Sequence, residues 1–182
     1  MKIFVETERL ILREILQTDI EGFFQLDSDP EVHRYLGNNP VQDKDQVKDV
    51  IKFIRQQYVD YGIGRWGIID KQTKDFIGWA GLKFVTKKTN NHIHYYDLGY
   101  RLRRKYWGKG IATESAKASL TYAFEKLKVE EVFAMADIEN IRSDNVLTKV
   151  GLKFIETFDL DNIKHNWYRI DKNDWENKKP NR

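Results

Sequence analysis

The amino-acid sequence predicts an α+β (mixed α/β) domain built around one sheet. Two observations carry that prediction. Stretches of period-2 alternation are interspersed with stretches of helical period. They mix without the strict βαβα order of a doubly wound fold. A third observation limits the size: 182 residues fit a single domain at about 100–200 residues per domain, and no linker, internal repeat or low-complexity segment divides them. Residues 1–176 are read as that domain and 177–182 as a polar tail.

The elements follow in order. Glu8–Ile15 alternates as a strand, with Leu10 and Leu12 on one face. Thr18-Asp19-Ile20-Glu21 has the form of a capping box, so a helix is expected there with Ile20, Phe23 and Phe24 inward. Ser28-Asp29-Pro30 stops it, and Pro30 opens a short helical turn through Tyr35. Asp43 caps a longer helix whose apolar stripe is Val47, Val50, Ile51, Ile54 and Tyr58, closed by Gly62 and Gly64. Arg65–Ile69 and Asp75–Thr86 form a hairpin around a polar turn. Tyr95–Leu102 is a further strand with Leu98, Tyr100 and Leu102 on one face. Gly108–Leu127 is the clearest helix, with Ala112, Ala116, Leu120, Ala123, Phe124 and Leu127 as its buried stripe. Glu131–Ala136 is a short buried strand, Arg142–Val150 a helix ended by Gly151, and Leu152–Phe158 and His165–Ile170 the last two strands.

Composition excludes several function classes. Without cysteine there is no disulfide scaffold, no Cys-ligated metal and no thiol nucleophile. The balance of 31 Lys+Arg against 28 Asp+Glu gives no general attraction to nucleic acid. No apolar run approaches the roughly 20 residues that span a bilayer. Met1–Arg13 lacks the apolar core of a signal peptide, so a cytoplasmic protein without membrane contact is expected. His92 and His94 would share a face on a strand, but no third ligand is visible, and no metal is expected.

The informative stretch is Leu98–Glu114, LGYRLRRKYWGKGIATE. It reads as strand, basic loop, glycine pair, helix. Gly108 and Gly110 let the backbone turn tightly and leave the first helical N–H groups bare. Those groups and the helix dipole form an anion site, to which Lys105 and Lys109 add charge. A pyrophosphate suits it. The P-loop pattern GxxxxGK[ST] is not present, and the third glycine of a dinucleotide fingerprint is missing. A glycine pair before a helix is by itself often only a turn.

With ERLILRE (Glu8–Glu14), DLGYRL (Asp97–Leu102), YWGKGIATES (Tyr106–Ser115), and Asn140-Ile141-Arg142-Ser143 followed by Lys149-Val150-Gly151-Leu152, the sequence resembles the GNAT superfamily of acyl-CoA-dependent N-acetyltransferases. Within it, the chain is similar to the branch containing the Nα-acetyltransferases of ribosomal proteins. The resemblance covers Glu8 to about Ile170. It implies a central, mostly antiparallel twisted sheet of about seven strands flanked by about four helices. The family's pyrophosphate loop falls on Lys105, Gly108, Gly110 and Ala112, with Lys105 where Gln or Arg is usual. Backbone N–H groups from Trp107 through Gly108, Lys109, Gly110, Ile111 and Ala112 to Thr113 would hold the CoA pyrophosphate. The backbone of Tyr100, Arg101 and Leu102 would pair with the pantetheine arm along a sheet edge opened by a bulge, for which Gly99 is suited. Asn140 matches a CoA-arm contact.

The implied activity is acetyl transfer from acetyl-CoA to a primary amine, either a protein N-terminus or a small amine such as a polyamine or aminoglycoside. The missing cysteines favour direct attack on the thioester. Asp97, where the branch carries Glu, is the expected base through a water; the alternative is a solvated strand-edge carboxylate. The tyrosine that many members use to protonate the departing sulfur falls on Leu147 here, and the resemblance to the ribosomal-protein branch instead implies a serine donor, at Ser143; the alternative is a helix N-cap. An acyl-CoA sensor with little catalysis is the second functional reading, and nucleic-acid binding a poor third. Members of the family often form homodimers, but no interface is legible.

Overall fold

The computed structural model describes residues 1–178. Eight strands make one sheet: β1 (Ile3–Glu6), β2 (Leu10–Arg13), β3 (Arg65–Asp70), β4 (Phe76–Val85), β5 (Tyr95–Leu102), β6 (Glu131–Asp137), β7 (Lys153–Leu160) and β8 (Ile163–Asp171). Among the described residues six α-helices accompany them: α1 (Ile20–Asp27), α2 (Pro30–His33), α3 (Lys44–Tyr61), α4 (Ile111–Tyr122), α5 (Ile141–Val150) and α6 (Lys172–Asn177). The spatial order is β1-β2-β3-β4-β5-β6-β8-β7. Every neighbouring pair is antiparallel except β5–β6, which is parallel and connected through α4.

Helices cover both faces because the strands between them are apolar on both sides. On one face, Leu10, Leu12, Trp66, Ile68, Ala80, Leu82 and Leu98 pack with Ala116 and Leu120 of α4 and Leu147 and Val150 of α5. On the other, Phe23 of α1 and Val47, Ile51 and Ile54 of α3 close over Ile15, Phe76 and Trp79. A smaller cluster of Val85, Tyr95, Phe133 and Trp167 fills the far end. The ring of His92 sits among Tyr95, Phe133 and Trp167 at 4.7–6.3 Å, so this histidine is part of the packing.

Several expectations are corrected. β1 and α6 are additional elements. α6 extends through Asn177, where the polar tail was expected to begin; residues 179–182 of that tail lie outside the described residues. The capping box at Thr18 does not form. Instead Asp19 accepts from the Leu16 N–H at 2.7 Å and from both terminal nitrogens of Arg13 at 2.8 Å, and the α-helix starts one residue later. Asp43 does cap α3, accepting from Asp45 and Gln46 at 2.9 Å, and Gly62 ends it at φ +68°. The helix expected over Gly108–Leu127 begins at Ile111 and finishes as a π-helical turn, Ala123–Leu127.

Candidate active site

The site forms where β5 and β6 part. Their only register pair is Asp97 with Phe133. Beyond it, residues 98–102 stay paired to β4 on one side, Tyr100 opposite Ala80 and Leu102 opposite Gly78, and no longer pair with β6 on the other. The open edge was expected from a bulge at Gly99, and this is corrected: the β4–β5 register runs unbroken from Tyr95 to Leu102. Divergence of a parallel pair opens the edge. Gly99 serves space instead, because a Cβ there would lie 2.6 Å from Arg65 Nη2.

At the end of β5 the chain turns through Gly108 (φ +72°) and Gly110 (φ +77°) into α4. A Cβ on Gly108 would meet nothing within 4 Å, so glycine is required by the left-handed backbone and not by crowding. Gly110 is the N-cap and has no side chain to satisfy the first amides, so Ile111, Ala112 and Thr113 present bare N–H groups with the positive end of the dipole behind them. Trp107 does not belong to this set. Its amide donates to the Arg104 carbonyl at 3.0 Å, and its indole N–H to the Leu102 carbonyl at 2.8 Å, which pins the loop to the strand.

A support that sequence reasoning missed holds the loop from below. Arg9 donates to the Lys109 carbonyl at 3.0 Å and pairs with Glu114, which also accepts from the Thr7 hydroxyl at 2.6 Å. Burial pushes the Glu114 carboxyl up, but the bonds from Thr7 and Arg9 outweigh it and hold the group below its usual range. The ERL motif carried the signal; its partner, about 105 residues away, did not.

The basic cluster is less free than its sequence suggested. Arg101 pairs with Asp27 at 2.7 Å, Arg104 with Asp29 at 3.2 Å and Lys105 with Asp75 at 3.2 Å. Lys109 is exposed, with its ammonium 5.6 Å from the Tyr106 ring centre. The charge directed at an anion comes chiefly from the helix start.

Asp97 is neither solvated nor at a free edge. It is 7% exposed, and its Oδ2 accepts a hydrogen bond from Arg65 Nη2, while its carbonyl accepts from Arg65 Nη1 at 2.6 Å. Arg65 is 9% exposed; burial works against its charge and Asp97 supports it. Trp79 lies between two guanidinium groups, Arg65 at 5.3 Å and Arg101 at 5.2 Å. Beside Asp27, His33 is also buried; desolvation and then Arg101 lower its pKa, which keeps the imidazole neutral. None of Arg65, Asp27 or His33 was singled out from sequence.

Across the divergence, Asn140 is the N-cap of α5 and accepts from the Ser143 N–H at 3.2 Å. This settles Ser143 as the third helical residue and not the cap. Its hydroxyl lies 3.0 Å from the Tyr100 hydroxyl. Among the described residues, no group of three or more potential metal ligands forms, and no helix is long and apolar enough to cross a membrane.

Comparison with known proteins agrees with this geometry. Residues 9–153 match the family described as Acetyltransferase (GNAT) domain. An uncharacterized N-acetyltransferase p20 of Bacillus licheniformis is 31% identical over 147 residues, covering 81% of this chain and 80% of that protein. A spermidine N(1)-acetyltransferase of Escherichia coli (strain K12) is 27% identical over 142 residues, covering 77% and 70%. The crystal structure of a GNAT-family acetyltransferase from Bacillus anthracis superposes with a TM-score of 0.78 at 24% identity, covering 95% of this chain and 99% of that one. With the family match spanning most of its length, the chain belongs to the GNAT family of acetyl-CoA-dependent acetyltransferases.

Proposed function

We propose that this protein transfers the acetyl group of acetyl-CoA to an α-amino group, at a protein N-terminus or on a small amine, by direct attack on the thioester. The observation that carries the proposal is one track: a bare helix start at Gly110, a β5 edge from Leu98 to Leu102 that β6 leaves without a strand partner, and the Ser143 hydroxyl across from it. The amides of residues 108–113 suit a pyrophosphate. The β5 backbone suits an arm that itself carries amides. Acetyl-CoA supplies an activated carbonyl carbon; the C–S bond breaks as the C–N bond forms, the sulfur leaves with the bonding pair as a thiolate, and the proton lost by the amine nitrogen passes to solvent water. A backbone N–H of β5 near Tyr100–Leu102 polarises that carbonyl, and Ser143 donates toward the departing sulfur. Asn140 holds the turn that presents Ser143.

The acceptor class follows from charge and from Asp97. The face of β5 opposite α4 carries Asp97, Gly99 and Arg101, and the carboxylates of Asp97 and Asp27 there are already paired with Arg65 and Arg101. Burial lowers the Lys83 pKa and Asp97 opposes this. Such a surface holds a polycation poorly. With Asp97 occupied by Arg65, we assign it to holding that arginine and not to taking the amine's proton. An amine of pKa ~7.8 tolerates this, since about one molecule in seven is neutral at pH 7, whereas for a lysine-like amine of pKa ~10.4 it is about one in two thousand.

Turnover of a short peptide with a free N-terminus, and of spermidine, between pH 6.5 and 9 tests the acceptor class. The peptide rate is expected to rise about fourfold from pH 7 to 8 and then level as the α-amine loses its proton. Faster turnover of spermidine, still rising about tenfold per pH unit at pH 9, would overturn it.

A further inference from the structure

Tyr100 lies on the α4 side of β5 and reaches across the divergence to the start of α5. Its hydroxyl lies 3.0 Å from Ser143 Oγ and 3.1 Å from the Ser143 carbonyl oxygen. Ser143 itself is fixed: Asn140 caps its N–H, and the adjacent Asp144 accepts from the Tyr168 hydroxyl at 2.5 Å and from Asn166 Nδ2 at 3.3 Å. A phenol has one proton to donate. Spent on the Ser143 carbonyl, it leaves the serine O–H to turn back toward Tyr100. Given to Oγ, it leaves the serine O–H free to point into the opening between the strands. Burial pushes the Tyr100 pKa above the ordinary tyrosine range, although the bond with Ser143 opposes this, so the phenol keeps its proton and stays a donor.

Resting on the acetyl-transfer reading above, the geometry points to Tyr100 as a positioning residue: its O–H donates to Ser143 Oγ and thereby aims the serine O–H at the sulfur that leaves as the C–S bond breaks. No proton leaves Tyr100. The serine hydrogen bond stabilises the thiolate, which solvent then protonates, and the chain of two hydroxyls strengthens the second bond. The phenol acts through the serine and touches no reacting atom.

The test is a double-mutant cycle of Tyr100→Phe and Ser143→Ala, read in two ways. Each single variant is expected to lower kcat about tenfold with acetyl-CoA affinity unchanged, and the double variant to be no slower than Ser143→Ala. Calorimetry with CoA bearing its free thiol gives the second readout. Wild-type affinity is expected to rise about tenfold as pH passes the thiol pKa of ~8.5, because the thiolate is the form Ser143 stabilises. Tyr100→Phe should lose that rise, and Ser143→Thr, which keeps a hydroxyl, should retain it even if Tyr100→Phe folds poorly. Losses that multiply in the double variant, or a thiolate preference that survives Tyr100→Phe, would overturn the proposal. If the wild type acetylates no amine, the acetyl-transfer reading fails, while the CoA titration still reports on the Tyr100–Ser143 pair.

Discussion

Replacing Asp97 with Asn is expected to lower stability by about 3–5 kcal/mol, because it leaves the Arg65 guanidinium buried without its counter-charge. For a domain of this size, that corresponds to a fall in Tm of roughly 10 °C. Arg65 would still donate to the Gly81 and Asp97 carbonyls, so its hydrogen bonds are only partly lost; the uncompensated charge is the main term. Replacing both partners with apolar residues, Arg65→Met with Asp97→Leu, is expected to recover most of the loss, since a buried ion pair and a well-packed apolar pair differ little in net stability. At a temperature where Asp97→Asn remains folded, its turnover should stay within about tenfold of wild type. A variant that melts like wild type yet loses about 10²–10⁴-fold in kcat would instead make Asp97 a general base.

Gly110→Ala is expected to weaken acetyl-CoA binding about tenfold. At φ +77° an alanine is strained by about 1–2 kcal/mol. The loop relieves that strain most easily by turning its amides away from the anion, so the cost falls on binding. Gly62→Ala is the control. Gly62 has φ +68°, ends α3, and like Gly108 has nothing within 4 Å of a Cβ. It should show a similar loss of thermal stability with unchanged acetyl-CoA affinity by calorimetry. Equal weakening in both variants would mean that the glycine effect is global stability and not the helix start.

These two sites also divide what was legible in the sequence from what was not. Gly108 and Gly110 were legible because the demand is local: a left-handed turn before a helix favours glycine whatever surrounds it. The same holds for α3, framed by Asp43 and Gly62, and for β5, whose bounds Tyr95–Leu102 coincide with the expected strand. The Asp97–Arg65 pair was not legible, because the two residues are 32 apart and meet only through the β3–β4–β5 register. Asp97 was therefore read, from the resemblance, as a base or a solvated strand-edge carboxylate, and neither reading includes its partner. Gly99 was read as a bulge for the same reason; its small size is explained only once Arg65 is seen beneath it. β1 escaped notice because it is a short edge strand with no fully buried residue, and α6 because six residues carry no helical period.

The most direct measurement of acetyl transfer to an α-amine is the initial rate of thiol release from acetyl-CoA with a peptide bearing a free N-terminus, set against the same peptide with its N-terminus blocked. Direct transfer predicts release with the free peptide, first order in enzyme, and only background release with the blocked one. Equal release with both peptides, or none with either while acetyl-CoA still raises the melting temperature, would contradict it and leave an acyl-CoA-binding protein with little catalysis.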